Sequence, residues 1–220
     1  MFIGHFAPAL IVAARPKAAG LGTLFVAAQL VDIGFAALLV PGIEAMRIEP
    51  GITAMNPMDL YHMPYTHSLL GAAIWAAAFG ILIGLATKRR EAAIGAALVV
   101  LSHWFIDLLV HIPDLTLFGA PPKLGLGLWN HPLIAIPIET VLIGGAFFYY
   151  MRRTAAPAGN LRLWVLAALL ALVQAIDWFG PKDPVYSLAI PATMLTAYAV
   201  LAGAAAWAGA NRQPRIHPTA

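Results

Sequence analysis

Residues 66–111 read THSLLGAAIWAAAFGILIGLATKRREAAIGAALVVLSHWFIDLLVH. Two apolar runs, each about 20 residues and so long enough to cross a hydrocarbon core of ~30 Å, are parted by the basic break Lys88-Arg89-Arg90. Apolar residues fill each run instead of marking one face, as expected for helices surrounded by lipid. Outward from this pair the pattern recurs, giving spans over about 19–40, 66–87, 92–111, 132–151, 161–180 and 185–208. A shorter apolar stretch, 2–14, precedes them and ends at Arg15-Pro16-Lys17. The sequence therefore predicts an all-α, polytopic transmembrane helix bundle of six spans plus a short N-terminal membrane helix. Residues 1–220 form a single integral membrane domain in this reading.

Composition agrees. Of 220 residues, 61% are hydrophobic and 10% charged, against about 45–50% and about 25% in soluble domains. A soluble enzyme or binding module is excluded. Cys is absent, which removes disulfides, thiolate metal sites and cysteine nucleophiles together. In 2–14 the positive charge follows the apolar core, where a cleaved signal peptide carries it in front; the stretch is expected to be retained.

The formal charge of +3 reads as topology and not as nucleic-acid affinity, because Lys and Arg gather on cytoplasmic loops. With six spans, ten basic residues, from Arg15 and Lys17 through Arg212 and Arg215, fall on one side, and only Arg47, Lys123 and Lys182 on the other. The majority side, with the C-terminus, is expected to be cytoplasmic in a bacterial inner membrane. Connections 41–65 and 112–131 then face outward. No nucleic-acid partner is expected.

Acids and histidines follow the opposite distribution. Nine of ten acids, all but Glu91, and six of seven histidines, all but His217, belong to the outward loops or the outer parts of helices. Ionisable groups within a span cost a few kcal/mol each and usually line a cavity, a relay or a site. The outward half is therefore the expected functional half.

Three motifs carry the chemistry. In Ser102-His103-Trp104-Phe105-Ile106-Asp107, His103 and Asp107 share a helix face, and His111 extends the stripe if the helix runs that far. A His-x-x-x-Asp pair supplies two metal donors from one rigid element; the bland alternative is a His–Asp pair that fastens two helices. In His62-Met63-Pro64-Tyr65-Thr66-His67-Ser68, Thr66 is expected to cap the following helix and His67 to sit in its first turn. The alternative is an ordinary interfacial histidine. Asp32, in Leu30-Val31-Asp32-Ile33-Gly34, stands inside a span with no basic residue in its helix. A protonated carboxyl or an interhelical hydrogen bond would also explain it. Gly4-His5 is placed near mid-membrane by the length of 2–14. Asn130-His131-Pro132 reads as a capped helix start, with His131 a further candidate for the site, and Asp177 lies near the outer end of its span.

Read in order, Gly4-His5, Leu30-Val31-Asp32, Thr66-His67-Ser68 and Ser102-His103-x-x-x-Asp107 resemble the YdjM-like family of bacterial inner-membrane proteins described as metal-dependent hydrolases. The likeness covers about the first 115 residues. Where that family has Asp-x-Asp-His, this chain has Asp32-Ile33-Gly34, and Met63-Pro64 stands for the family's Arg-Gly. More remotely, the ligand order is similar to that of zinc phospholipases C, which implies a phosphoester substrate.

The expected function is a metal-dependent hydrolase opening to the periplasmic side and acting on a membrane lipid or lipid-linked phosphoester. Its expected metal ligands are Asp32, His67, His103 and Asp107, with His5 as a further ligand or a ligand to a second ion. An all-N/O donor set suits Zn²⁺ best among divalent metals, and also Mn²⁺ or Fe²⁺. Asp114 and His111 are the expected catalytic pair, with Asp114 as general base; His62, His131 and Asp177 are assigned to substrate contact or support. Two alternatives use the same cluster: a metal-binding assembly protein without turnover, and a metal or ion transporter.

Overall fold

The computed structural model describes residues 2–157 and 159–215, so His217 lies outside the described residues. A 3₁₀ turn, Ile3–His5, leads into α1, Phe6–Ala13. Helices α2, Leu21–Ala28, and α3, Leu30–Leu39, follow, then α4, Leu69–Thr87, and α5, Arg90–Val110. The chain continues through α6, Pro132–Arg153, α7, Leu161–Phe179, and α8, Ala189–Gly209. Helices α4 to α8 are each long and apolar enough to cross a membrane, and α2 with α3 passes the same test as a pair bent by 53°. The mostly helical bundle expected from the sequence is the fold.

One element departs from the expected outline. The span foreseen over 19–40 is broken at Gln29, which is fully buried and has φ −110° and ψ 10°. No proline or glycine stands at the break. Instead a side chain enters the backbone ladder, one of the recognised causes of a kink: His103 Nδ1 lies 2.8 Å from the Ala28 carbonyl. The break changes the setting of Asp32, which becomes a residue in the first turn of α3. There the exposed amides and the helix dipole favour a carboxylate.

Both long connections, 41–65 and 112–131, carry small hairpins. Residues 41–65 form a hairpin of β1, Ala45–Ile48, and β2, Met58–His62, with Arg47 opposite Asp59 and bonded to it at 2.8 Å. Residues 112–131 contain a second small hairpin, β3, Leu115–Thr116, with β4, Lys123–Leu124. Met46 of β1, Leu60 of β2 and Leu115 of β3 are buried. At the other end of the bundle the basic residues meet: Lys17 pairs with Glu91 at 3.2 Å, and Arg212 bonds Thr154 and Asn160. This basic end and the hairpin end define the two poles of the molecule.

Close helix approach depends on small residues. A Cβ on Gly22 would lie 2.5 Å from the Ala206 Cβ, and one on Gly80 2.9 Å from the Ala97 Cβ. These contacts hold α2 to α8 and α4 to α5. Between the poles, Phe6 and Phe25 stack at 4.3 Å, and with Leu10 and Leu24 they form a fully buried apolar plug.

Candidate metal centre

The centre is assembled from four stretches of chain. The turn before α1 brings His5, α3 brings Asp32, the segment before α4 brings His67, and α5 brings His103 and Asp107. His111 closes the group as the residue capping the end of α5, with its backbone already extended at ψ 144°. Asp107 lies three residues from the hairpin-side end of α5, about 4.5 Å down the helix axis, and His103 about 10 Å down.

Four imidazole Nε2 atoms converge on two carboxylates. His5 Nε2 is 3.0 Å from Asp107 Oδ1, and His111 Nε2 is 3.4 Å from the same oxygen. His103 Nε2 is 2.9 Å from Asp107 Oδ2 and 3.4 Å from Asp32 Oδ1. His67 Nε2 is 3.2 Å from Asp32 Oδ1 and 3.6 Å from Asp107 Oδ2. The donors form two triads, His5–His103–Asp107 and Asp32–His67–His103, whose ligand atoms lie within 4.8 Å of one another. All are buried except Asp32, whose side chain is 19% exposed.

Each ring is oriented from behind. His103 Nδ1 faces the Ala28 carbonyl, and His5 Nδ1 lies 3.3 Å from the Phe2 carbonyl. A carbonyl only accepts, so these nitrogens donate. His111 Nδ1 lies 2.9 Å from Asp114 Oδ1. For His67 the chain is longer: Thr66 Oγ1 donates to Glu44 Oε2 at 2.6 Å and lies 2.9 Å from His67 Nδ1, so His67 donates to the hydroxyl. Such partners set the tautomer and raise the ligand strength of the opposite nitrogen.

With every Nδ1 engaged, four Nε2 atoms face carboxylate oxygens, contacts that either protons on some of the rings or a bound cation would make favourable. Protons on all four would place four imidazolium charges around two carboxylates. The His5 and His103 rings stack at 3.9 Å, where two unit charges repel by about 4 kcal/mol at an effective dielectric of ~20. A cation held by either triad would meet the lone pair of His103 and that of His5 or His67 without that clash. The His5 and His103 Nε2 atoms, moreover, lack hydrogen-bond geometry despite their short contacts. The residues fit a metal ion.

The sequence-derived candidates divide clearly. His5, Asp32, His67, His103 and Asp107 come together, with His111 beside them. Asp114, expected as the general base, is 5% exposed, does not line the cavity, and has its Oδ1 engaged by His111. His62 is exposed at the end of β2, where it pairs with Ala45, and His131 is exposed at the start of α6. Neither reaches the cluster or lines the cavity, because each belongs to backbone on the rim. Asp177 lines the cavity and accepts from Gln174 at 3.0 Å. Thr66 does not cap α4; its hydroxyl is committed to Glu44, and Ser68 accepts from the Gly71 amide instead. His67 therefore lies just before the helix and not in its first turn.

Several partners escaped the sequence. Glu44, fully buried, accepts from the Tyr65 and Thr66 amides as well as from the Thr66 hydroxyl. Tyr198 donates to Asp32 Oδ2 at 3.0 Å. Glu139 and Gln174 accept from the Gly4 and Ile3 amides, seating the turn that carries His5. Of these, the depth of Glu139 in its span marks it in the sequence as a buried partner without saying of what, whereas nothing there marks Gln174. Gly34 packs against Thr66 and Trp75, and a Cβ added to it would lie 3.2–3.3 Å from those side chains. An acid there would meet that wall.

No family model, curated protein or solved structure matches the chain. Helix length and composition define it as a multi-pass helical membrane protein, and the geometry adds a buried His/Asp cluster that could hold a metal ion.

Proposed function

We propose that this protein is a membrane-embedded metal-dependent hydrolase. The observation that carries the reading is the convergence of four imidazole Nε2 atoms, each with its Nδ1 already engaged, on Asp32 and Asp107. The order of the motifs and their likeness to the YdjM-like family support the same reading. His5, Asp32, His67, His103 and Asp107 are the proposed ligands, and Zn²⁺ is the best fit to an all-N/O donor set. When bound, a divalent ion polarises an ester oxygen and lowers the pKa of water from 15.7 toward about 7.

The chain's own part in the chemistry falls to His111 and Asp114. His111 belongs to neither triad, lines the cavity, and has its Nδ1 tied to a buried carboxylate. That is the arrangement of a general base held in one tautomer by an acid. The attacking water loses a proton to His111 Nε2 as its oxygen bonds to phosphorus or to an acyl carbon. The bond from phosphorus or the acyl carbon to the leaving oxygen then breaks, and that alkoxide takes the proton from His111 Nε2. Asp114 is a positioning residue, a revision of its sequence-derived role as base. The apolar plug of Phe6, Leu10, Leu24 and Phe25 favours a site worked from the hairpin pole over a transit path. By the distribution of Lys and Arg, that pole faces out of a bacterial inner membrane.

Elemental analysis beside hydrolysis assays tests this. Purified protein should carry stoichiometric metal that is lost in His103→Ala and Asp107→Ala, and should cleave members of a phosphoester and acyl-ester panel. His111→Ala should keep the metal and lose about 10²–10⁴-fold in rate. Undiminished hydrolysis by metal-free protein would overturn the proposal; bound metal with no turnover on any ester would point to an assembly role.

A further inference from the structure

The cluster forms one wall of a cavity of about 330 Å³, near the lower end of the ~300–1,000 Å³ typical of ligand pockets. The remaining walls are largely apolar. Phe35, Met58 and Leu60 lie on the hairpin side, and Val173, Ile190 and Met194 come from α7 and α8. A small hydrophilic ester would leave those walls against water, so the cavity is matched to a molecule that is polar at one end only.

The mouth can be located by residues that line the cavity and are also exposed. Ile176 on α7, 59% exposed, and Thr193 on α8 are two of them. Ile176 stands three residues before the end of α7 and Thr193 four residues after the start of α8, about 5–6 Å inside the helix ends. Helix α7, with 19 residues, is about 28 Å long, close to the ~30 Å hydrocarbon thickness. Asp177, Lys182 and Asp183 are exposed lining residues as well, so the mouth runs from the α7–α8 connection to just inside the boundary between hydrocarbon and head groups. Trp178, beside it, is of the residue type that anchors at that boundary. Lys182, the one Lys or Arg among the lining residues, stands at the rim with its amine on the Asp177 carbonyl.

We infer that the cavity takes a phospholipid from the hairpin-side leaflet, through the gap between the outer turns of α7 and α8. Its phosphate end lies between Lys182 and the His/Asp cluster, and the first carbons of one chain lie against Val173, Ile190 and Met194. The bilayer keeps the rest of the lipid, which the cavity is too small to enclose. Hydrolysis of that lipid rests on the function proposed above; its occupancy of the cavity does not.

The test uses the full chain in vesicles of phosphatidylethanolamine and phosphatidylglycerol containing a phosphatidylglycerol with a diazirine on a head-proximal chain carbon. After irradiation, mass spectrometry should map adducts to Val173 or Met194. Excess unlabelled lipid should suppress them, and inorganic phosphate should not. Thr193→Trp or Ile176→Trp, which narrow the mouth, should lower cavity labelling at least fivefold while the metal content stays unchanged. Adducts confined to lipid-facing positions such as Leu82, Leu85 and Leu133 in the wild type would overturn the inference, as would suppression by inorganic phosphate. Cavity labelling without turnover on any ester would retain the lipid site and sink the hydrolase.

Discussion

At the scale of the residue, the centre depends on what stands behind each ligand. Thr66 is the sharpest case. Its hydroxyl donates to Glu44 and accepts from His67, so two buried groups share a single oxygen. Thr66→Val keeps the side-chain volume and removes that link. Metal affinity should fall about 10–100-fold, the usual effect of deleting a ligand's outer partner, whereas Thr66→Ser should stay within a few-fold of wild type. Competition with a chromogenic chelator measures both. Equal affinity in Thr66→Val and wild type would mean that the relay does not orient His67. His103 and Asp107 were legible in the sequence because the periodicity of a helix puts positions four apart on one face. Glu44 was not, because no spacing rule connects residue 44 to residue 67.

At the scale of the element, the broken span and the cap of α4 show how tertiary contacts redirect local signals. Ser68 and Thr66 are both good capping types, and the one left with a spare acceptor does the capping. Ser68→Ala should cost about 1 kcal/mol, seen as a lower midpoint in thermal unfolding, with metal stoichiometry unchanged. No change in the midpoint would show that the cap is dispensable. Gly22 is a stricter position, since any side chain there meets α8. Gly22→Leu should destabilise by about 1–3 kcal/mol through overpacking, or block accumulation of the folded protein. Stability equal to wild type would show that α2 and α8 can separate freely.

At the scale of the whole molecule, the two poles and the buried His/Asp cluster are the global properties. The chain contains no Cys, so single cysteines can report each pole. Ala54→Cys in the first hairpin connection and Asn211→Cys at the basic end are both at exposed positions. In intact bacterial cells a membrane-impermeant maleimide should label Ala54→Cys directly, and Asn211→Cys only after permeabilisation. The reverse pattern would invert the proposed orientation. Because the cluster ties together α1, α3, α5 and the segment before α4, metal binding should stabilise all of them. Ligand at 100 times its dissociation constant contributes about 2.7 kcal/mol. A chelator should therefore lower the unfolding midpoint and Zn²⁺ should restore it; a midpoint insensitive to both would separate the cluster from metal.

The sequence alone determined the membrane class, the positions of the long helices and the concentration of His and Asp toward one pole. Those properties are sums over local composition: apolar length sets a span, basic residues mark its flanks, and charge is expensive within it. Only the tertiary structure decided which candidates meet. His62 and His131 carry the same ring as His67 and His103, yet their backbones leave them on the rim. Glu44, Glu139, Gln174 and Tyr198 enter from distant parts of the chain. Convergence depends on interhelical packing and on a kink made by His103 bonding Ala28 from another helix, and such a contact has no counterpart in local sequence.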